Sequence, residues 1–144
     1  MELTGFNPNA TANTGNNIFG LPYAVETSKV VIIPIPWEVT VSNFEGAAQG
    51  PGNVLEQSFQ IDLFDPFNPN GWKQGYAMEA IDHALIERNK ATRALSREFI
   101  SLLEAGQNMD ENPQTLQWVR TINVAGDELC TWLKQNCLNY LGKN

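Results

Sequence analysis

Lys29-Val30-Val31-Ile32-Ile33-Pro34-Ile35-Pro36 is the stretch that decides the fold class. Its β-branched residues run without polar interruption. A run of that kind predicts a strand buried on both faces, as in the centre of a parallel α/β sheet. Pro34 has no N–H to give to a ladder, so the strand is expected to end near Ile33, with Pro34–Pro36 leading out of its C-terminal end.

Downstream, Trp37–Gln49 reads as a loop containing Gly46. Gly50-Pro51 then opens a short helix over Asn53–Phe59, because proline suits a first helical turn where its missing N–H costs nothing. A second, weaker strand is expected at Gln60–Phe64. Asn68-Pro69-Asn70-Gly71 has the chemistry of a turn. Upstream, residues 1–17 are rich in Asn, Thr and Gly and read as a flexible N-terminal arm. Residues 18–144 read as an incomplete α/β portion.

Two long helices follow. In Met78–Ala105, Ile81, Leu85, Leu95, Phe99, Leu102 and Leu103 recur at helical spacing, with Gly106 placed as the C-cap. Asn112 and Pro113 supply an N-cap and a first-turn proline for the second helix. Leu116, Val119, Leu129, Leu133, Cys137 and Tyr140 form its apolar stripe, which ends at Gly142. One strong strand with two long helices is an odd inventory, since a parallel strand needs neighbours on both sides and helices over both faces. The expected fold is therefore the opening of a larger α/β domain.

The chain has 144 residues, 42% of them apolar, which is enough for a core. Nine Lys+Arg against sixteen Asp+Glu give a net charge of −7 and no basic face for a phosphate backbone, so nucleic acid is excluded as a partner. The longest apolar run, Val30–Trp37, is far short of a membrane span. The N-terminus lacks a basic region followed by an apolar one. Cys130 and Cys137, if on one helix, stand ~10 Å apart along its axis, too far for a bridge. These features together imply a cytoplasmic protein without a disulfide framework.

Pro34-Ile35-Pro36-Trp37-Glu38-Val39-Thr40-Val41-Ser42-Asn43-Phe44-Glu45-Gly46-Ala47-Ala48-Gln49-Gly50-Pro51-Gly52-Asn53-Val54-Leu55 resembles the N-terminal region of the ureohydrolase (arginase/agmatinase) family. There a first strand ends in a Pro-containing loop, and a G-A-x-x-G-P segment opens a helix. Phe59-Gln60-Ile61-Asp62-Leu63-Phe64-Asp65 and Gly71-Trp72-Lys73-Gln74-Gly75 resemble its agmatinase-like branch, and the similarity runs from about Phe19 through Gly142. The resemblance implies a three-layer α/β/α fold with a parallel sheet, of which this chain is the N-terminal fragment. It also implies an enzyme that hydrolyses a guanidinium-type C–N bond with two Mn²⁺. The implied partner is a small guanidino compound (agmatine, arginine or formiminoglutamate), and a homo-oligomer is compatible with the family.

The family's metals are held by later G-G-D-H, D-A-H-x-D and S-x-D-x-D-x-x-D-P motifs. This chain has none of them and a single histidine. The resemblance places G-G-D-H just after the helix that ends near Gly142. Attack on a resonance-stabilised guanidinium needs a metal-generated hydroxide or its equal, so this chain alone is expected to bind no metal tightly, to hold no catalytic residue and to lack hydrolase activity.

Other residue groups read as structural. Asp62-Leu63-Phe64-Asp65-Pro66 matches the end of a metal motif in spacing, but Ser58 and Gln60 stand where Ser and Asp are needed; a strand end with a proline turn accounts for it better. Glu79, His83 and Glu87 have i,i+4 spacing on the expected helix, and a solvated face is the favoured reading. Cys130 and Cys137 read as buried structural thiols. The loop Trp37–Gln49 carries the most functional weight, because ligands of parallel α/β sheets bind beyond the C-terminal ends of strands. Ser42, Asn43 and Glu45 are its candidate substrate-side residues, and Gly50-Pro51 opens a helix whose N-terminus suits an anion.

Two other readings stand beside the ureohydrolase fragment: a non-catalytic helical interaction module, and a truncated gene product with no function of its own. An α/β piece without its neighbouring strands is expected to expose more apolar surface than an ordinary monomer. Fluorescence of the dye ANS above that of a compact control protein is the expected result.

Overall fold

The computed structural model describes residues 5–109 and 112–142. The chain is mixed α/β. Strand β1 is Val30–Ile32, helix α1 is Gly50–Ser58, strand β2 is Tyr76–Met78, and helices α2 and α3 are His83–Glu104 and Pro113–Leu141. The strands pair in parallel, Val30 opposite Tyr76 and Ile32 opposite Met78, in a two-stranded sheet. Two compact units form. One joins Met1–Ile35 to Gln49–Asp82, and the other joins Pro36–Ala48 to His83–Asn144.

In the first unit the sheet is short and depends on side chains at its margins. Successive residues of β2 turn their backbone groups to opposite edges. Val30 N–H donates to Gly75 O and Glu79 N–H to Ile32 O, so Met78 faces the outer edge. There Asn17 stands in for a missing strand: its Oδ1 accepts the Met78 N–H (2.7 Å) and its Nδ2 donates to Met78 O (3.2 Å). The same Oδ1 accepts the N–H of Ile18. Ile18, Leu21, Tyr23, Ala77 and Met78 make the buried apolar core around it. Phe19 has φ +62°, a costly conformation for a side chain with a Cβ. It is held by its N–H on buried Ser58 Oγ (3.0 Å) and by an edge-on contact with the Tyr76 ring.

In the first unit the sequence reading and the fold part in three places. The β1 residues are not buried on both faces: Val30 is exposed, and Val31 and Ile32 are half-buried. The apolar run predicts a sheet interior, whereas β1 has only one described neighbour. Gln60–Phe64 is not a strand; it is irregular and largely exposed. The true partner, Tyr76–Met78, ends on the first residue of the expected helix Met78–Ala105, and that helix begins at His83 instead. Gly75 explains the switch. Its φ of +82° ends the turn Gly71–Gln74, and its carbonyl accepts the N–H groups of Lys29 and Val30, which seeds the ladder.

In the second unit α2 packs on α3, with an Arg88–Glu128 ion pair of 2.6 Å across them. The end of α2 and both ends of α3 match the sequence reading. Gly106, at φ +70°, caps α2 with its N–H on Leu103 O, and Gln107 N–H reaches Leu102 O. Asn112 Oδ1 accepts the Gln114 N–H ahead of Pro113. Leu116, read as part of the packed stripe, is exposed. Among the described residues no helix is long and apolar enough to cross a membrane.

Asn17→Ala removes two hydrogen bonds to the buried Met78 backbone and one from the Ile18 N–H and is expected to cost about 2–3 kcal/mol. Gly75→Ala forces a Cβ to 3.2 Å from the Tyr23 ring at a left-handed φ and is expected to cost about 1–3 kcal/mol. Urea unfolding checks both, as lower midpoints at unchanged slope.

Candidate functional site

The loop 36–48 is the candidate site, and it belongs wholly to the second unit. Its conformation follows from two sets of hydrogen bonds. The first is internal. Glu38 Oε2 accepts the backbone N–H groups of Gly46 (2.7 Å) and Ala48 (3.2 Å), which folds the loop back on its own start. The Glu38 carboxyl is thereby held below the ordinary value of 4.5. The N–H of Gly46 contributes most and that of Ala48 next. Partial burial opposes the shift, while the positive charge of Arg93 and the N–H of Ala47 assist it.

The second set comes from α2. Asn89, Thr92, Arg93 and Ser96 recur at three- and four-residue spacing, so they share one helix face. Asn89, Thr92 and Ser96 are buried there. Asn89 Oδ1 accepts the N–H of Glu38 at 2.7 Å. The carbonyl of buried Val39 accepts from Arg93 Nη1 at 3.1 Å and from the Ser96 hydroxyl in a short hydrogen bond. Arg93 Nη2 also reaches Glu45 Oε1 at 3.2 Å, and Arg97 Nη1 approaches the same oxygen at 3.5 Å. The Arg93 side chain is 11% exposed, and its Nε is buried without a hydrogen-bond partner. The helix face that holds the loop is therefore polar. A search for apolar periodicity passes over it; the signal was the repeat of Asn, Thr, Arg and Ser at 89, 92, 93 and 96.

The residues singled out from sequence are separated by role. Glu45 is an ion-pair partner of two arginines. Ser42 and Asn43 are exposed. Phe44, between them and Glu45, is exposed as well. Chemically the loop offers hydroxyl and amide groups on a fixed backbone, with a carboxylate already neutralised. It holds no nucleophile–base pair.

Asp65 Oδ1 accepts the Phe67 N–H at 2.8 Å, a proline-turn arrangement as expected. Glu79 precedes α2, so it does not share a helical face with His83; Glu87 pairs with Lys90 at 2.8 Å, and that bond holds its carboxyl below the ordinary value. Cys137 is half-buried, but Cys130 is exposed, contrary to a buried structural thiol, because it lies on the outer side of α3. Among the described residues no group of three or more His, Cys, Asp or Glu side chains is placed to hold a metal ion. In the first unit an open groove of about 870 Å³ runs between the arm 5–13 and the segment 59–64. Asparagines line one wall, and Phe59, Ile61 and Phe64 the other.

No family model, no curated protein and no solved structure matches this chain.

Because the folded Glu38 carboxyl is more acidic than the unfolded one, protonation favours unfolding. Its contribution is complete above the ordinary carboxylate value and is lost as pH falls through the lower folded value. Glu38→Gln is expected to lower stability by about 1 kcal/mol at neutral pH and to flatten the acid limb of the stability curve. Denaturant midpoints measured from neutral pH down to below pH 4.5 check this.

Proposed function

We propose that the chain is the N-terminal segment of an agmatinase-like ureohydrolase of α/β/α architecture, cytoplasmic, contributing sheet scaffold and a fixed loop to a site completed by other residues. The observation that supports the reading is the parallel pairing of β1 with β2. Parallel strands need a crossover of a dozen or more residues and stand almost always in larger sheets covered on both faces. Here the crossover carries α1, and the outer edge of β1 pairs with no described strand. The chain passes from β1 into the loop whose backbone Glu38, Asn89, Arg93 and Ser96 immobilise. In the proposed enzyme the exposed Ser42 and Asn43 of that loop would meet the polar end of a guanidino substrate, with Arg93 and Arg97 keeping Glu45 in place.

The two Mn²⁺ of the proposed family do not fit the described residues. The single histidine, His83, is exposed, and Glu87 is engaged by Lys90. No catalytic step is assigned to this segment, and it is inactive alone under this proposal.

A second reading, a helical interaction module, is favoured by one observation: the outward face of α3 carries exposed Val124, Leu138 and Leu141.

Reading the coding DNA on the 3′ side of codon 144 in all three frames tests the first proposal. Segments encoding G-G-D-H and D-A-H-x-D are the expected result, and unrelated sequence contradicts it. Calorimetric titration of the 144-residue chain with Mn²⁺ is expected to give no stoichiometric sub-micromolar binding, and assay with agmatine or arginine no urea.

A further inference from the structure

Val124, Asp127, Thr131, Lys134, Leu138 and Leu141 follow one another on α3 at spacings of three and four residues. At ~100° per residue all six fall within about 100° of arc, the spacing of a coiled-coil seam, with apolar residues at its two ends and Asp127, Thr131 and Lys134 between them. All six are exposed: Val124 is 50%, Leu138 51% and Leu141 69% accessible. The opposite side of α3, carrying Ile122, Leu129 and Leu133, is more buried, so the seam is a second face. A shallow groove of about 450 Å³ lies along it, bordered by Val124, Asp127 and Thr131. Asp127 and Lys134 make no ion pair with the described residues.

We infer that this seam binds the same seam of a second copy of the chain, in antiparallel orientation about an axis at Thr131. Charge selects both the partner and the direction. In an antiparallel pair centred on Thr131, Val124 of each copy faces Leu138 of the other. Asp127 of each copy lies beside Lys134 of the other, giving two opposite-charge contacts. A parallel pair would set Asp127 against Asp127 and Lys134 against Lys134, which is repulsive. Leu141 then lies over the aliphatic stem of Arg120 of the second copy. The guanidinium of that arginine sits at the C-terminal end of the facing helix, where the helix dipole favours a cation. Thr131, small and polar, meets its own copy at the axis, and a polar residue in a seam fixes register at some cost in stability. Each copy carries a net −7, so long-range repulsion opposes association. At physiological salt it is screened beyond ~8 Å, and the contact pairs are not. With few residues per side the dimer is weak and reversible.

Sedimentation velocity of the 144-residue chain over a wide concentration range, at physiological salt, tests the inference. The expected result is a monomer–dimer equilibrium. Asp127→Lys or Lys134→Asp alone is expected to weaken it about tenfold, since two attractive contacts become repulsive. The two changes together restore it. Leu138→Glu abolishes it, with helix content by circular dichroism unchanged. A monomer at every concentration overturns the inference and leaves the seam to another segment or another protein. So does a dimer that ignores Leu138→Glu, or one that the double reversal fails to restore.

Discussion

The carbonyl of Val39 is enclosed, and the second unit is organised around giving it partners. Val39 is 1% exposed, and a buried carbonyl without a hydrogen bond carries a large desolvation penalty. Arg93 and Ser96 of α2 supply the bonds, and Asn89 does the same for the neighbouring N–H of Glu38. That requirement explains why α2 buries amide, hydroxyl and guanidinium groups along one face where an ordinary amphipathic helix would bury leucines. It also explains why Glu45 lies against two arginines: the guanidinium of Arg93 serves Val39 with one nitrogen and Glu45 with another. Glu38 then closes the loop from inside. A loop fixed from two directions has little conformational freedom left to lose on meeting a ligand, the condition under which exposed groups such as those of Ser42 and Asn43 bind well.

The first unit solves a different problem with the same means. Strands of three residues in a two-stranded sheet cannot stand alone. The backbone groups at the margins are therefore taken up locally, by the amide of Asn17 on the outer edge of β2 and by the carbonyl of Gly75 at the start of β1. Among the described residues the outer edge of β1 has no such device, and that asymmetry gives the proposed sheet its direction of growth. On the second unit the α3 seam is likewise an uncovered surface, whose charge order distinguishes it from a stray apolar patch.

What was legible in the sequence was what backbone chemistry dictates within a few residues. Asn112-Pro113 and Gly106 marked helix ends, because caps are set by local donors and by a left-handed φ. The Val30–Ile32 strand was legible because β-branched side chains favour extended backbone. Its partner was not. Tyr76–Met78 is only three residues long, and its last residue, Met78, reads with the helical pattern that follows; Gln60–Phe64 had the better strand composition and no ladder to join. The loop was legible as a place of interest, but its anchors were not. They are polar and lie more than forty residues downstream on α2, and nothing in the spacing of Asn89, Arg93 and Ser96 names the carbonyl they serve. The ureohydrolase reading rests on the order of residues from Pro34 to Gly75 together with the parallel strand pair.

Amide hydrogen exchange at Gly46 and Ala48 tests the central claim, that loop 36–48 is a fixed structure held by Glu38 and α2. The account predicts that both amides are protected to the same order as amides in the middle of α2, and that Phe44 N–H exchanges quickly beside them. Exchange of Gly46 and Ala48 at the rate of an unstructured peptide would contradict it.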